Sequence, residues 1–405
     1  MTRVNSASST SSERDADRSR RAPCASLLLA FFAVGCGSEP SVSVNDDAGA
    51  PPVPEYDWQL PARFPVPKVP ADNPMTAEKA ELGRYLFYDT RLSENESQAC
   101  STCHRQKLAF TDGRALAVGS TGVQNRRSSM SLANAGYNSA QTWANPALKT
   151  LEQQVLVPLL GDDPVELGFS GREDELLQRL RDEPTYPPLF SAAFPEEADP
   201  ISLVNVTRAI ASFERRMISG RSPYDLYASG ENVEAIPLSA QRGARLFFGE
   251  RFECHHCHGS FALSTSVTWA GKSSDQLSYQ NDALYNLDGV GAYPPRDQGL
   301  FEVTQLPEDM GKFRPPTLRN IAVTAPYMHD GSIATLREVL EAHYARGGRL
   351  IEDGPDAGDG SLSPRKASFV SGFTIDPSEI DELLAFLEAL TDEAFLSDET
   401  LSNPW

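Results

Sequence analysis

Cys100-Ser101-Thr102-Cys103-His104 and Cys254-His255-His256-Cys257-His258 are two copies of C-x-x-C-H, and no other feature limits the chain as tightly. Two thiols one helical turn apart can add to the vinyl groups of a haem, and the histidine that follows is placed to bind the iron. Two copies mean two covalent c-type haems, with His104 and His258 as proximal ligands. Zinc sites also use cysteine and histidine, but they pair two C-x-x-C halves at shorter separation. Of six cysteines, four lie in these motifs, and Cys24 and Cys36 fall in one N-terminal segment, so none is left for a disulfide framework.

Residues 25–34 form a ten-residue apolar run behind Arg18, Arg20 and Arg21. That is too short to span a bilayer and suits the core of a signal peptide over residues 1–35. The run ends in Ala33-Val34-Gly35-Cys36, which resembles a lipobox with Cys36 as the lipidated residue; plain signal-peptidase cleavage is the alternative. The expected location is the periplasm or the outer membrane or cell surface, with the membrane touched only through a lipid anchor. Cleavage removes five arginines and three acids, which moves the formal charge from -20 to -22. Such a balance argues against nucleic acid and suits a basic protein partner or simple solubility.

Residues 36–72 are rich in proline and read as an extended tether. The rest is enough for two domains, expected at 73–236 and 237–405. Thr76-Ala77-Glu78-Lys79 opens a helix running to Leu86-Phe87 ahead of the first motif, and Ser239-Ala240-Gln241-Arg242 opens another running to Leu246-Phe247 ahead of the second. Gly83-Arg84-Tyr85-Leu86-Phe87 and Gly243-Ala244-Arg245-Leu246-Phe247 then read as one haem-binding unit used twice. Helical spacing recurs over 173–181 and 201–218, with Tyr186-Pro187-Pro188 as an interruption between them, and Asp376-Pro377-Ser378-Glu379 caps a last helix with an apolar stripe from Ile380 to Leu390. No long alternating run appears. The expected fold is all-α: two tandem cytochrome c-like haem domains with long loops.

Histidine is scarce: there are six, and none lies between His104 and His255. The first haem therefore has no distal histidine of its own and is expected to be open to peroxide, with Met130 or Met217 as the alternative ligand. His255 and His256 sit inside the second motif and cannot cross to the far face. His343 falls on the buried side of a helix opened by Thr335-Leu336-Arg337-Glu338, at i+7 from Leu336, and is the expected sixth ligand of the second haem, with Tyr344 and Met328 as rivals. His329 reads as structural.

From Asp57 onward the chain resembles the bacterial di-haem cytochrome c peroxidase and MauG family, most closely its MbnH-type members. The resemblance is carried by Asp72-Asn73-Pro74-Met75-Thr76, by Ala109-Phe110-Thr111-Asp112-Gly113-Arg114, by Tyr285-Asn286-Leu287-Asp288-Gly289, by Pro316-Thr317-Leu318-Arg319-Asn320 and by Thr324-Ala325-Pro326-Tyr327-Met328-His329-Asp330-Gly331-Ser332. It implies that Asn134, Thr324 and Pro326 are calcium ligands, that Trp143 relays electrons between the haems, and that Gln154 and Pro158 line the open haem's distal pocket. Glu166 matches the pocket carboxylate, with Asp162 and Asp163 as rivals. Cleaving peroxide requires a proton to leave one oxygen and reach the other, which one placed acid can arrange. In the loop where activatable peroxidases carry a distal histidine, this chain has Gly122-Val123-Gln124-Asn125.

The resemblance implies a peroxide-dependent oxidoreductase that holds two oxidising equivalents across both haems as a high-valent di-haem state and oxidises a tryptophan of a secreted partner protein. One alternative is a cytochrome c peroxidase that reduces hydrogen peroxide with electrons from a small redox protein. Another is a plain electron-transfer cytochrome, which would need neither an open haem nor a pocket acid.

Overall fold

A computed structural model describes residues 56–405; the expected signal peptide, Cys24 and Cys36 lie outside the described residues. The described chain is mainly helical. Its helices are α1 (Ala77–Tyr88), α2 (Cys100–Cys103), α3 (Leu151–Leu160), α4 (Glu173–Asp182), α5 (Tyr186–Ala193), α6 (Leu203–Arg215), α7 (Pro223–Ser229), α8 (Leu238–Phe247), α9 (His255–His258), α10 (Phe301–Thr304), α11 (Leu336–Glu338), α12 (Pro377–Glu388) and α13 (Glu393–Leu396). The only ladder among the described residues pairs β1 (Leu350–Ile351) with β2 (Gly358–Asp359), antiparallel. No described helix is long and apolar enough to cross a membrane.

Several boundaries follow from local chemistry. Thr76 caps α1 by accepting from the Lys79 N–H at 3.1 Å, and Asp376 and Glu379 form the capping box of α12. α8 begins two residues earlier than a cap at Ser239 suggested, with Pro237 as N-cap. The expected interruption at Tyr186-Pro187-Pro188 is instead the start of α5. Proline fits there because first-turn residues have no intrahelical acceptor for the N–H it lacks.

Each haem motif follows a helix that crosses a second helix at a glycine. A Cβ added to Gly83 of α1 would stand 1.9 Å from the carbonyl oxygen of Ala209 on α6 and 2.9 Å from Phe213 Cβ. A Cβ on Gly243 of α8 would stand 1.9 Å from the carbonyl oxygen of Glu382 on α12 and 2.9 Å from Phe386 Cβ. Only a hydrogen fits in either place. Around the first crossing lies a core that includes Leu82, Leu86, Phe87, Phe190, Ile210 and Phe213; around the second lies one with Phe247, Leu340, Leu383, Phe386 and Leu387.

The two halves are joined in three places. In a buried polar hub, the Asn134 carboxamide donates to the Ser219 carbonyl at 2.8 Å and accepts from its N–H at 3.1 Å. Asn320 donates to Ser219 Oγ at 3.0 Å and accepts from the Asp392 N–H at 2.7 Å, while Asp392 accepts from the N–H groups of Gly220 and Arg221 at 2.9 Å. The segment 56–72 has no helix, as expected of the tether, but it is fastened: Tyr137 OH donates to the Pro65 carbonyl at 2.6 Å, the Ala270 N–H donates to that of Val66, and Lys68 pairs with Asp275 at 3.0 Å. Finally, the tail returns to the first half. Phe395 and Leu401 belong to its core, Arg84 and Tyr88 donate to the carbonyls of Ser402 and Leu401, and Trp405 packs edge-on against Tyr85 with centroids 5.2 Å apart.

Alanine is worth about 1 kcal/mol more than glycine in an exposed helix interior, so the crossings make a discriminating test. Gly83→Ala and Gly243→Ala should each lower stability, by about 3 kcal/mol or more, because the new methyl meets backbone that cannot rotate away. Thermal unfolding followed by circular dichroism measures this; a raised Tm would show that the crossings tolerate a side chain.

Candidate functional site

The single turn α2 ends at His104, whose Nδ1 lies 2.7 Å from the carbonyl oxygen of Phe110. A proton on Nδ1 is thereby held by a backbone acceptor and Nε2 keeps its lone pair, the tautomer a metal-binding imidazole needs. The carbonyl is aimed by two successive residues in the left-handed region, Ala109 (φ 50°) and Phe110 (φ 61°). Side chains rarely adopt this conformation, and it recurs where function over-determines the backbone. The second motif repeats the device: His258 Nδ1 lies 3.3 Å from the carbonyl oxygen of Leu263, itself at φ 50°, and 3.2 Å from that of Pro316. Burial lowers the pKa of both imidazoles, that of His258 to about 4, so each is neutral at pH 7.

None of the four motif cysteines is in a disulfide. Burial raises Cys103 to about 11, with the Glu166 charge adding to it, and Cys254 and Cys257 to about 12; Cys100 is raised further still. Burial thus favours the protonated thiol at each of the four.

Beside the second motif lies a cavity of about 180 Å³, walled by Cys254, Cys257 and His258 and, from other segments, by Trp143, Asp282, Arg314, Met328, His329 and Tyr344. Leu336, Val339 and Leu340 line it as expected, but the wall is completed by Tyr344 rather than His343. The reason is local. Past Glu338 the helix widens into a π turn over Val339–Tyr344, and a wider turn brings residue i+8 to the face that i+7 would hold in an α-helix. His343 is nonetheless fully buried, and neither of its ring nitrogens has a hydrogen-bond partner; burial lowers its pKa to about 3. Its ring stands edge-on to Tyr344, centroids 4.6 Å apart.

These residues fit a haem at each motif. Both proximal histidines present an unprotonated Nε2, a buried imidazole is left without partners beside the second cavity, and the cavity wall carries an unpaired cation. That cation is Arg314, which donates to the Thr142 carbonyl and Asn138 Oδ1 at 3.1 Å and meets the Met130 sulfur at 3.5 Å; no carboxylate pairs with it among the described residues. Burial lowers its pKa to about 10, still charged at neutral pH and suited to a propionate.

Gln154 and Pro158, expected to line the first haem's distal pocket, sit one turn apart on α3. Pro158 cannot donate to the Gln154 carbonyl, so the helix ladder is open at that pair. The chain then folds back, with the Leu167 N–H donating to the Pro158 carbonyl at 2.9 Å, which holds Glu166 against the end of α3. Glu166 Oε1 accepts from Asn125 at 3.0 Å, in the loop where a distal histidine is missing, and that loop comes close only because Gly119 lacks a Cβ, which would stand 1.9 Å from the Val165 carbonyl oxygen. Burial raises the pKa of Glu166, opposed by the Asn125 hydrogen bond, and its charge is felt at both Cys103 and Cys100. The rival acids face solvent: Asp163 is exposed and paired with Arg126 at 2.7 Å, and exposed Asp162 accepts from Ser170. Met130 turns its sulfur to Arg314, and Met217 is packed in the first core.

Trp143 is half-buried on the wall of the second cavity, with its indole N–H donating to the Ser128 carbonyl at 2.9 Å and its own carbonyl accepting from the Arg314 N–H at 2.7 Å. Asn134, expected at a calcium site with Thr324 and Pro326, spends both ends of its carboxamide on Ser219, and Thr324 Oγ1 donates to the Ile321 carbonyl. His329 lies flat on Phe313, centroids 3.7 Å apart.

Sequence reading missed three buried ionisable groups: Arg314, Asp282, raised to about 7 by burial, and Glu214, raised to about 8 by burial with the Arg215 charge opposing. Only Glu214 left a signal, as an acid on the apolar face of α6 one turn after Ile210.

Residues 77–233 match the family described as di-haem cytochrome c peroxidase. The chain is 34% identical to cytochrome-c peroxidase IdrP1 of Pseudomonas sp. (strain SCT), over 92% of this chain and 94% of that protein. It is 32% identical to the methylamine utilization protein MauG of Methylorubrum extorquens, over 91% and 95% of the two. Among solved structures, a MauG-like protein associated with microbial copper homeostasis is 48% identical and superposes with a TM-score of 0.84, covering 86% of this chain and 99% of its own.

Glu214 holds a proton in the folded protein that the unfolded chain releases near pH 4.5, so its contribution to stability falls as pH rises from about 4.5 to about 8. Glu214→Gln should remove a slope of up to about 1.4 kcal/mol per pH unit in that window. Unfolding midpoints at pH 5, 6.5 and 8 measure it; parallel profiles for wild type and variant would place the proton elsewhere.

Proposed function

The chain belongs to the di-haem cytochrome c peroxidase and MauG family of oxidoreductases, and from that premise we propose that it uses hydrogen peroxide to oxidise a tryptophan of a secreted partner protein. The observation that carries this reading is Trp143. An indole on the second cavity's wall, tied through Ser128 toward the first half and through Arg314 to the second, is a relay that a site doing all its chemistry at one haem would not need. The two c-type haems supply storage for the oxidising equivalents.

The chain's own groups then have assigned work. Glu166, half-buried and held by Asn125, moves the proton between the two peroxide oxygens, and Gln154 and Pro158 shape the space beside it. His104 would hold the first haem, with no second imidazole beside it. His343 would hold the second, since a buried imidazole with two unpartnered nitrogens gains most from a ligand bond. In balance, peroxide takes two electrons and two protons to become two waters, while the partner's indole loses two electrons, takes up one water oxygen and releases two protons. The 48% likeness to a protein associated with copper homeostasis supports a metal-handling partner.

The second reading is a peroxidase fed electrons by a small redox protein, favoured by the relatives that carry that name. Incubation of the enzyme with peroxide and a candidate partner decides: oxygen mass added to one partner tryptophan, slowed at least tenfold by Glu166→Gln, supports modification. Rapid oxidation of a reduced cytochrome with no mass gain supports the peroxidase.

Two spectroscopic outcomes follow. Ferric enzyme should show one high-spin and one low-spin paramagnetic resonance signal, and His343→Ala but not Tyr344→Phe should convert the low-spin one; two low-spin haems in the wild type would remove the open site. Trp143→Phe should keep both haems attached and still consume peroxide, but lose partner oxidation. An unchanged modification rate would reduce Trp143 to packing.

A further inference from the structure

All six histidines of the chain lie in the described residues, and only His255 and His256 reach solvent beyond the two proximal ligands; His329 and His343 are buried. His255 and His256 occupy the free positions of the second C-x-x-C-H motif, and their rings stand 4.3 Å apart at 32°. Glu250 lies opposite them. One of its carboxylate oxygens is 3.6 Å from His255 Nε2 and the other 3.7 Å from His256 Nε2, and one donor atom from each of the three residues can be chosen so that all lie within 4.8 Å of one another. We propose that Glu250, His255 and His256 form a surface site for a divalent first-row metal ion, with Cu(II) and Zn(II) as the ions its donors suit best.

The separations approach those a metal needs, with each Glu250 oxygen facing one imidazole and one donor atom per residue within 4.8 Å of the others. Bonds of about 2.0–2.2 Å to imidazole nitrogen and carboxylate oxygen put tetrahedral donors about 3.4 Å apart, so the two Glu250–imidazole spacings need close by only a few tenths of an ångström. The donors are also held in place and left free. His256 stacks on Phe369, centroids 5.5 Å apart, and Glu253 Oε1 stands 3.9 Å from its Nε2. His255 Nδ1 is buried without a partner, which leaves Nε2, on the Glu250 side, as the accessible donor atom. The neighbouring Arg251 is committed elsewhere, with both its terminal nitrogens on Glu379 at 2.6 and 3.0 Å, so it does not neutralise Glu250. Two imidazoles and a carboxylate are borderline ligands, for which affinity rises along the first row to a maximum at Cu(II).

The location gives the site a consequence. Glu253 and Phe369, which touch His256, also line the cavity that holds Cys257 and His258. A bound cation therefore stands one side chain from the second haem's pocket, on the outer surface where a partner would meet it.

The test uses the mature protein with both haems attached and any affinity tag removed. Titration with Zn(II) against a fluorescent chelator should give one equivalent bound, and Cu(II) should bind at the same stoichiometry with nitrogen hyperfine structure in its paramagnetic resonance spectrum. Glu250→Gln, His255→Asn and His256→Asn should each weaken binding at least tenfold with unchanged covalent haem content. If a histidine variant loses haem, Glu250→Gln, which lies outside the attachment motif, decides alone. No saturable binding, or binding curves that superimpose for wild type and Glu250→Gln, would overturn the site.

Discussion

Backbone meeting backbone at two glycines is the constraint from which the rest of the structure follows. With no side chain on Gly83 or Gly243, α1 lies directly on α6 and α8 directly on α12, and each pair grips aromatic side chains, Phe87 with Phe213 and Phe247 with Phe386, at 5.3 and 5.1 Å. Since helix contacts of this kind depend on shape as well as apolar area, one missing methyl per pair sets how closely the helix ahead of each C-x-x-C-H motif packs.

A second constraint ties the two units into one device. The hub of Asn134, Ser219, Asn320 and Asp392 is buried, and its members satisfy one another. Such networks specify a single arrangement, because any slip leaves polar groups stranded. Asn134 and Asn320 both sit in the left-handed region, at φ 62°, each opening a short 3-10 turn and each reaching the same serine. The internal repeat therefore extends beyond the helix pairs to the joint itself.

What could be read from the sequence was local. Thr76 and the Asp376–Glu379 box gave helix starts, and a glycine shared by two short runs pointed to the paired helix crossings. Misreadings came from chemistry that a linear pattern does not encode. Tyr186-Pro187-Pro188 looked like a break because proline was weighed as helix interior and not as a first turn. The i+7 rule placed His343 on the buried face, where it lies, but the π turn that also brings Tyr344 to the cavity wall is a widening that no periodicity of 3.6 can announce. The proline-rich approach looked free because its attachments, at Tyr137, Ala270 and Asp275, lie 72 to 207 residues away in sequence. Glu166 was separated from Asp162 and Asp163 only by burial, which the three acids' shared stretch of sequence does not display.

The returning tail makes the order of synthesis matter. The first unit's core takes Phe395 and Leu401, and its opening helix is latched by the carbonyls of Leu401 and Ser402. A ribosome working from the amino end finishes every other wall of that unit long before these residues exist. The earlier-made half thus stays unsealed until the later-made half has been translated, and loss of the residues from Phe395 onward would injure the unit farthest from them in the gene.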